Sequence, residues 1–389
     1  MLWKLLRRAR RRLSAFLRAL PFSSETLGPP RGLIETYSIW SDSAVTRSRH
    51  RESWQVSAPR EIVRHLPRTI ESADCESFRP LQRQVHPAAQ VVRIADARLL
   101  NLCVITPDDY ILRNLSMHKD AGLEEFDWML SALKLPRVNR LHGNLTVVGE
   151  TYASSYYHWL FQAIGRLCYV KKKFPLEQIA HFGVSHMSAG FQRDTLRLMG
   201  IPDNKLVPLT ASSHLAPDTI VVSAWTGSFD PTIAEFLRDT FLPHLVTSAQ
   251  PGPKRIYVSR RRCHSRHILN EEEVLEAIGR CGFQTVFCED LSFMEQMALF
   301  HGAEAVLAPH GAGLSNIVFC KPGTKVVEIF NDGWRPEIFW QLSEAIGLEH
   351  YCLFGNDPGT SARGPSSQHR NIQIPMDDFR RLLRLAGLN

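Results

Sequence analysis

The chain has 389 residues, 44% apolar and 22% charged, a globular composition that excludes collagen-like or wholly disordered architectures. Its formal net charge of +7 would suit a nucleic-acid binder, but the excess is segregated. Residues 1–22 hold Lys4, Arg7, Arg8, Arg10, Arg11, Arg12 and Arg18 with no acid; removing these seven from 46 Lys and Arg leaves 39, against 39 Asp and Glu. The body of the chain is formally neutral, so no nucleic-acid partner is expected.

Leu2, Leu5, Leu6, Ala9, Leu13, Phe16, Leu17 and Leu20 recur at three- and four-residue spacing, which predicts a basic amphipathic helix over 1–22. Such a helix suits an anionic membrane surface. No stretch reaches the ~18 apolar residues of a membrane span, and Arg18 interrupts any signal-peptide core. The eight cysteines are scattered without a CxxC pair, so reduced thiols are expected in a cytoplasmic protein peripheral to the inner face of the cell membrane. Pro21, Gly28, Pro29, Pro30 and Gly32 open a linker. Residues 23–90 as a whole are polar and poorly periodic. Residues 91–115 read as β-rich, with a turn at Pro107-Asp108-Asp109.

From residue 144 strands and helices alternate. Strands are expected at Leu145–Val148, His181–Val184 and Thr219–Ser223, with helices at Tyr156–Lys173, Phe191–Met199 and Thr232–Leu245. Residues 249–254 form a second linker. Beyond it, strands are expected at Arg255–Ser259, Gln284–Phe287, Ala305–Leu307, Lys325–Ile329 and Tyr351–Phe354. The helices between them are Glu271–Arg280, Ser292–His301, Gly313–Phe319 and Glu337–Ile346. Residues 356–389 make a tail with a last helix at Asp377–Leu385. Alternation predicts parallel sheets covered by helices. The expected fold is α/β and GT-B-like: two Rossmann-like domains, 91–250 and 251–355, facing a central cleft, with ligands at the carboxyl ends of the strands.

The strongest local signal is Leu307-Ala-Pro-His-Gly-Ala-Gly-Leu-Ser-Asn316, which follows a strand and opens a helix. Gly311 and Gly313 permit close backbone approach, and the free N–H groups of a helix start favour an anion. His310 stands at the strand end. Asn316 excludes a GxGxxG fingerprint, and a P-loop is excluded by the missing GK[ST]. After the first strand of this half comes Ser259-Arg-Arg-Arg262, with Arg266, Asn270 and Glu271 beyond. Arginines at a strand's carboxyl end are placed to clamp a diphosphate. Glu328, at the end of the strand after the glycine loop, could accept the hydroxyls of a ribose. In the first half, His158, Gln162 and Arg166 form a polar stripe at helical spacing, and His158 is a candidate proton acceptor. No DxD, HExxH or GxSxG occurs, so no metal clamp is expected.

Pro309-His-Gly-Ala-Gly-Leu-Ser-Asn316, Phe319 and Pro322-Gly-Thr-Lys-Val-Val-Glu328 resemble the C-terminal signature of glycosyltransferase family 61. Ser259-Arg260, Arg266 and Asn270-Glu271 resemble a second block, and Tyr156-Tyr-His-Trp-Leu160 through Arg166-Leu167 a third. The third block departs from the family where Gln162 replaces a common acid and Gly165 a common proline. The resemblance implies a GT-B fold and inverting transfer from a nucleotide sugar with no metal cofactor. Without an evident anchor or signal peptide, the chain is expected to resemble bacterial members that build capsular polysaccharide.

The expected scheme has residues 251–355 bind the donor and residues 91–250 the acceptor, a glycan or lipid-linked saccharide. Arg260, Arg266 and the loop Gly311, Ala312, Gly313, Leu314 through Asn316 hold the diphosphate, joined by His310, while Ser259, Asn270 and Glu271 belong to the same donor site. Glu328 holds the ribose. His158, with Arg166 near it, activates the acceptor hydroxyl. The rival readings are a nicotinamide oxidoreductase, which requires a GxGxxG that is missing, and a catalytically degenerate glycan- or partner-binding member.

Overall fold

The computed structural model describes residues 9–10, 12–13, 16, 29–43, 51–71, 75–116, 123–224, 226, 229–245, 252–356 and 365–389. Most of the helix expected over 1–22 lies outside the described residues. Of that segment, residues 9, 10, 12, 13 and 16 are helical and exposed, Phe16 at 63%. No helix among the described residues is long and apolar enough to cross a membrane. None of the eight cysteines is in a disulfide.

The strands, in chain order, are β1 (Gly32–Ile34), β2 (Arg51–Gln55), β3 (Arg60–Val63), β4 (Arg83–His86), β5 (Gln90–Ala95), β6 (Arg98–Leu100), β7 (Cys103–Ile105), β8 (Tyr110–Leu112), β9 (Asn139–Val148), β10 (His181–Val184), β11 (Leu206–Pro208), β12 (His214–Ser223), β13 (Arg255–Val258), β14 (Phe283–Val286), β15 (Ala305–Pro309), β16 (Lys325–Asn331) and β17 (Glu349–Gly355). The chain divides into two compact units, Met1–Pro59 with Pro87–Gly227 and Arg60–His86 with Ser228–Asn389. The division therefore falls before residue 231, not at 250. The helix Pro231–Phe241, capped by Asp230 with Pro231 in its first turn, buries Ile233, Ala234, Leu237 and Phe241 in the second unit. The Phe241 ring meets Phe293 edge-on at 5.0 Å, and Arg238 Nη1 donates to the carbonyls of Val318 (2.6 Å) and Cys320 (2.7 Å).

The first unit carries a mixed sheet rather than a simple doubly wound one. Its order is β1-β8-β7-β6-β12-β9-β10-β11, with β5 on β12 and β2 on β5. The strands β12, β9, β10 and β11 run parallel, as the alternating sequence predicts. The β5 to β8 segment adds antiparallel strands on the far side of β12. Asp109, in the expected turn, has φ +73°, a left-handed conformation that Asp tolerates. Trp40, Val92, Leu99, Leu145, Ile220 and Val222 lie in the core of this sheet.

The second unit carries a wholly parallel sheet in the order β14-β13-β15-β16-β17. Its inner strands β15 and β16 are near-continuous buried runs, as expected where both faces are covered, while the edge strand β14 exposes Gln284 and Thr285. The order is the doubly wound 2-1-3-4-5, whose switch point lies between the first and third strands, here β13 and β15. Residues 60–86, unassigned by sequence, also belong to this unit. Arg68 bridges Tyr351 at the sheet edge, and Phe78 packs on Phe330 and Trp340. Every expected element of residues 255–385 is present within a few residues, and the C-terminal helix (Met376–Leu385) packs its Phe379, Leu382 and Leu383 into the same core.

Candidate functional site

The loops after β13 and β15 flank the switch point of the second sheet. Between them opens a small pocket whose walls include Ser259, Arg260, Cys263, Cys288, Glu289 and the glycine loop. Its glycines answer to close packing. Gly311 is extended (φ 179°), so conformation does not demand it, but a Cβ there would collide with the Arg260 guanidinium. A Cβ on Gly313 would lie 3.2 Å from Val258 Cγ1 and 3.5 Å from Cys288 Sγ. The helix that follows, Ala312–Phe319, is 3₁₀ rather than α. Asn316 is fully buried and donates to Gln296 Oε1 (2.7 Å) and the Gly313 carbonyl (3.1 Å). It ties the loop to its neighbour and is withdrawn from a ligand, contrary to the expected donor contact.

Arg260 and Arg266 are the dominant charges. Arg260 donates through Nε and Nη2 to the Ser265 carbonyl, both at 3.2 Å. Arg266 holds a left-handed backbone (φ +61°), uncommon for a long side chain. Its guanidinium lies 5.1 Å above the Trp334 ring, and its Nε is buried with no hydrogen-bond partner. Neither arginine forms an ion pair among the described residues. Burial lowers the pKa of both, that of Arg266 to about 10, where the nearby Arg260 adds to the effect. Two half-buried, unneutralised cations side by side are costly unless an anion joins them.

Around them the other residues divide. Glu271 accepts from Tyr257 Oη (2.7 Å), Ser259 Oγ (2.6 Å) and Arg261 Nε (2.7 Å). Burial opposes its charge, but these bonds outweigh it and hold its pKa below the usual range. Asn270 exchanges two hydrogen bonds with the backbone of Ile374. Both residues brace the arginine loop from behind and do not line the pocket. Arg262, the third arginine of the run, pairs with Asp290 at 2.5 Å and lies 3.9 Å over the Phe287 ring.

Glu328 is not where the sequence suggests. The strand continues to Asn331, so Glu328 sits at mid-strand with 0% exposure. Its Oε1 contacts His310 Nδ1, and its Oε2 lies 3.1 Å from His350 Nε2, off the line of a good hydrogen bond. A ribose has no access to it. His310 is itself buried, its ring against Phe330, Trp334 and Phe339. His350, which sequence reasoning missed, has Nδ1 2.8 Å from Ser343 Oγ. No local signal marks it, because it comes from the neighbouring strand β17.

In the first unit, His158–Ile164 forms a π-helix, a geometry frequent at functional sites. His158 Nδ1 meets Gln162 Oε1 and lies 3.8 Å from Glu150 Oε2. Tyr152, 55% exposed, has its ring 5.4 Å from that of His158. Arg166 faces inward: it is buried and donates to the Ser223 carbonyl at 2.7 Å. Burial pushes its pKa down to about 10, while the nearby Glu150 favours its charge. Glu150, buried two residues past β9, is the carboxylate that sequence reading missed.

The second unit thus sets two arginines that form no ion pair among the described residues, and a glycine loop, at the switch point of its parallel sheet. Residues 156–327 match the family model described as Glycosyltransferase 61. The chain is 30% identical over 146 residues to a β-1,2-xylosyltransferase of Oryza sativa subsp. japonica, covering 33% of this chain and 26% of that protein. It is 29% identical over 161 residues to the EGF domain-specific O-linked N-acetylglucosamine transferase of Bos taurus (37% and 30%), and 34% identical over 99 residues to that of Drosophila melanogaster (25% and 19%). The aligned regions span less than a third of each of these relatives. The family match covers less than half of this chain.

Proposed function

We propose that the protein is an inverting, metal-independent glycosyltransferase of GT-B type that moves a sugar from a nucleotide-sugar donor to a hydroxyl of a glycan or lipid-linked saccharide. The observation that carries this reading is the arginine pair. Arg260, in the wall of the switch-point pocket, and Arg266 near it are half-buried and form no ion pair among the described residues, with Glu289 and Glu328 acting on them only through space. A donor diphosphate between them, with the N–H groups at Gly311–Gly313, satisfies both. The two arginines in turn supply the leaving-group stabilisation that a metal gives elsewhere. Ser259 and Leu314 line that pocket as well.

His158 takes the proton of the acceptor hydroxyl as its oxygen attacks the anomeric carbon. The bond from that carbon to the diphosphate oxygen breaks on the opposite face, and the diphosphate leaves with the electron pair. The configuration inverts in this single displacement. With Nδ1–H on Gln162, the neutral ring keeps its lone pair on Nε2, as a base requires. The basic segment 1–22 anchors the enzyme to the anionic inner face of the cell membrane, where it serves polysaccharide assembly such as that of a capsule.

The decisive experiment is a thermal-shift screen against UDP-, GDP-, CMP- and TDP-sugars, followed by turnover of the donor that binds. One donor class is expected to raise Tm in the wild type and not in Arg260→Ala. Full transfer by Arg260→Ala sinks the scheme. Gln162, standing where the family often has an acid, favours a second reading as a degenerate glycan- or partner-binding protein; donor binding without any turnover would select it. Deleting residues 1–22 should release the protein from anionic vesicles with donor binding intact.

A further inference from the structure

His310 is braced from the interior by a line of polar side chains in an otherwise apolar core. Ser343 Oγ, on the helix Ile338–Ile346, lies 2.8 Å from His350 Nδ1. His350 Nε2 lies 3.1 Å from Glu328 Oε2, and Glu328 Oε1 contacts His310 Nδ1. Each of the four residues is buried, Glu328 and Ser343 with no exposed surface. Glu328 Oε2 and His350 Nε2 are buried and make no hydrogen bond, whereas His310 Nε2, across the ring from Glu328, has no hydrogen bond to the described protein and is not among the fully buried unpartnered atoms. Arg266, Arg260 and His350 all act against a charge on His310.

We infer that Glu328 is a positioning residue: it fixes His310 in the tautomer whose Nε2–H points away from the core, toward the anion site. The hydrogen bonds then have one polarity throughout. Ser343 O–H donates to His350 Nδ1, Glu328 O–H donates to His310 Nδ1, and His310 is left with a proton on Nε2, while His350 Nε2–H faces Glu328 Oε2 at 3.1 Å without a well-aligned hydrogen bond. This order needs Glu328 as a neutral acid. Burial favours that form, and burial together with Arg266 and Arg260 disfavours a charged His310. The opposite order would turn a lone pair toward an anion. The inference rests on the glycosyltransferase reading for the identity of that anion, and assigns Glu328 a role behind His310 in place of a contact with the donor.

The test is two-bond ¹H–¹⁵N correlation of the histidine rings in the full-length protein, with His310 identified by the loss of its signals in His310→Asn. Binding of UDP, GDP and inorganic pyrophosphate is titrated in parallel. The expected wild-type result is a neutral His310 ring protonated on Nε2 across pH 6–8. Glu328→Gln keeps the polarity, its amide donating to His310 Nδ1 and its carbonyl facing His350. It should retain this tautomer and bind within about twofold of wild type, whereas Glu328→Ala should lose about tenfold or more. A His310 protonated on Nδ1 or on both nitrogens overturns the inference. So does Glu328→Gln losing as much affinity as a folded Glu328→Ala. If the wild type binds none of the three probes, the glycosyltransferase reading fails, and the tautomer still decides the inference.

Discussion

The two units each set a histidine beside a buried carboxylate near the carboxyl ends of parallel strands, and they treat the pair differently. In the second unit Glu328 touches His310 directly and has no cation in hydrogen-bond contact. In the first, Glu150 stands 3.8 Å from His158 and shares the interior with Arg166, while Gln162 takes the imidazole N–H. The same two side chains can therefore serve opposite ends of a transfer. Behind His310 a neutral acid yields a hydrogen-bond donor for an anion. Behind His158 a neutral amide accepts from Nδ1–H, which on the proposed scheme leaves Nε2 as the acceptor for a proton.

Removing the proton acceptor should have the largest effect. His158→Ala is expected to lower kcat by about 10²–10³-fold, in the range for a positioned general base, with donor affinity unchanged by calorimetry. An equal loss of donor affinity would place His158 in donor binding and break the comparison. The arginine pair comes next. Arg266→Met should weaken UDP or GDP binding by about 30- to 100-fold, the weight of a charge-assisted hydrogen bond. Because this guanidinium is buried with Nε unpartnered, the same variant should hold or raise the Tm of the unliganded protein. A fall of several degrees would make Arg266 a structural residue. Gly311→Ala should cost about tenfold in nucleotide affinity with little change in Tm, since its Cβ displaces only the far end of Arg260.

How far these sites could be read from sequence depended on how local their cause was. The parallel order of the second sheet follows from alternating apolar runs and caps, such as the Ser292–Glu295 capping box, and the glycine loop announces itself by composition. The sequence places Glu328 at a strand end because the strand is expected to stop at Ile329, whereas β16 runs on through Phe330 to Asn331. That shift moves the carboxylate from the mouth of the strand to its interior. Its partners His310 and His350 arrive from the strands on either side, and such pairing across strands has no spacing in the chain. Glu150 escaped notice for the same reason: it precedes the helical stripe it completes. Asn270, Glu271 and Asn316 are correctly grouped with the loops they serve, but sequence cannot tell a residue that touches a ligand from one that braces its neighbour.

The smallest effect is the one that reads the protonation of the core line directly. Burial holds the His350 pKa down at about 3, against about 6.5 in an unfolded chain. Between those values the unfolded state takes up a proton that the folded state refuses. The stability tied to His350 is thus complete above pH 6.5 and is lost as pH falls toward 3, at up to about 1.4 kcal/mol per pH unit. Glu328 has the opposite sign. Its pKa is raised by burial, so the folded state keeps a proton that the unfolded chain releases above about pH 4.5, and that stability declines as pH rises. Across pH 4.5–6.5 the two slopes oppose each other and the pair should leave stability nearly flat. His350→Gln removes one of them. Urea titrations at pH 4, 5, 6 and 7 should show the wild type losing stability on acidification more steeply than the variant, by up to about 1.4 kcal/mol per unit. Parallel curves would mean that His350 is charged in the folded protein. The carboxyl group between the two histidines would then have to be ionised, and the contrast between a neutral Glu328 and the carboxylate of Glu150 would disappear.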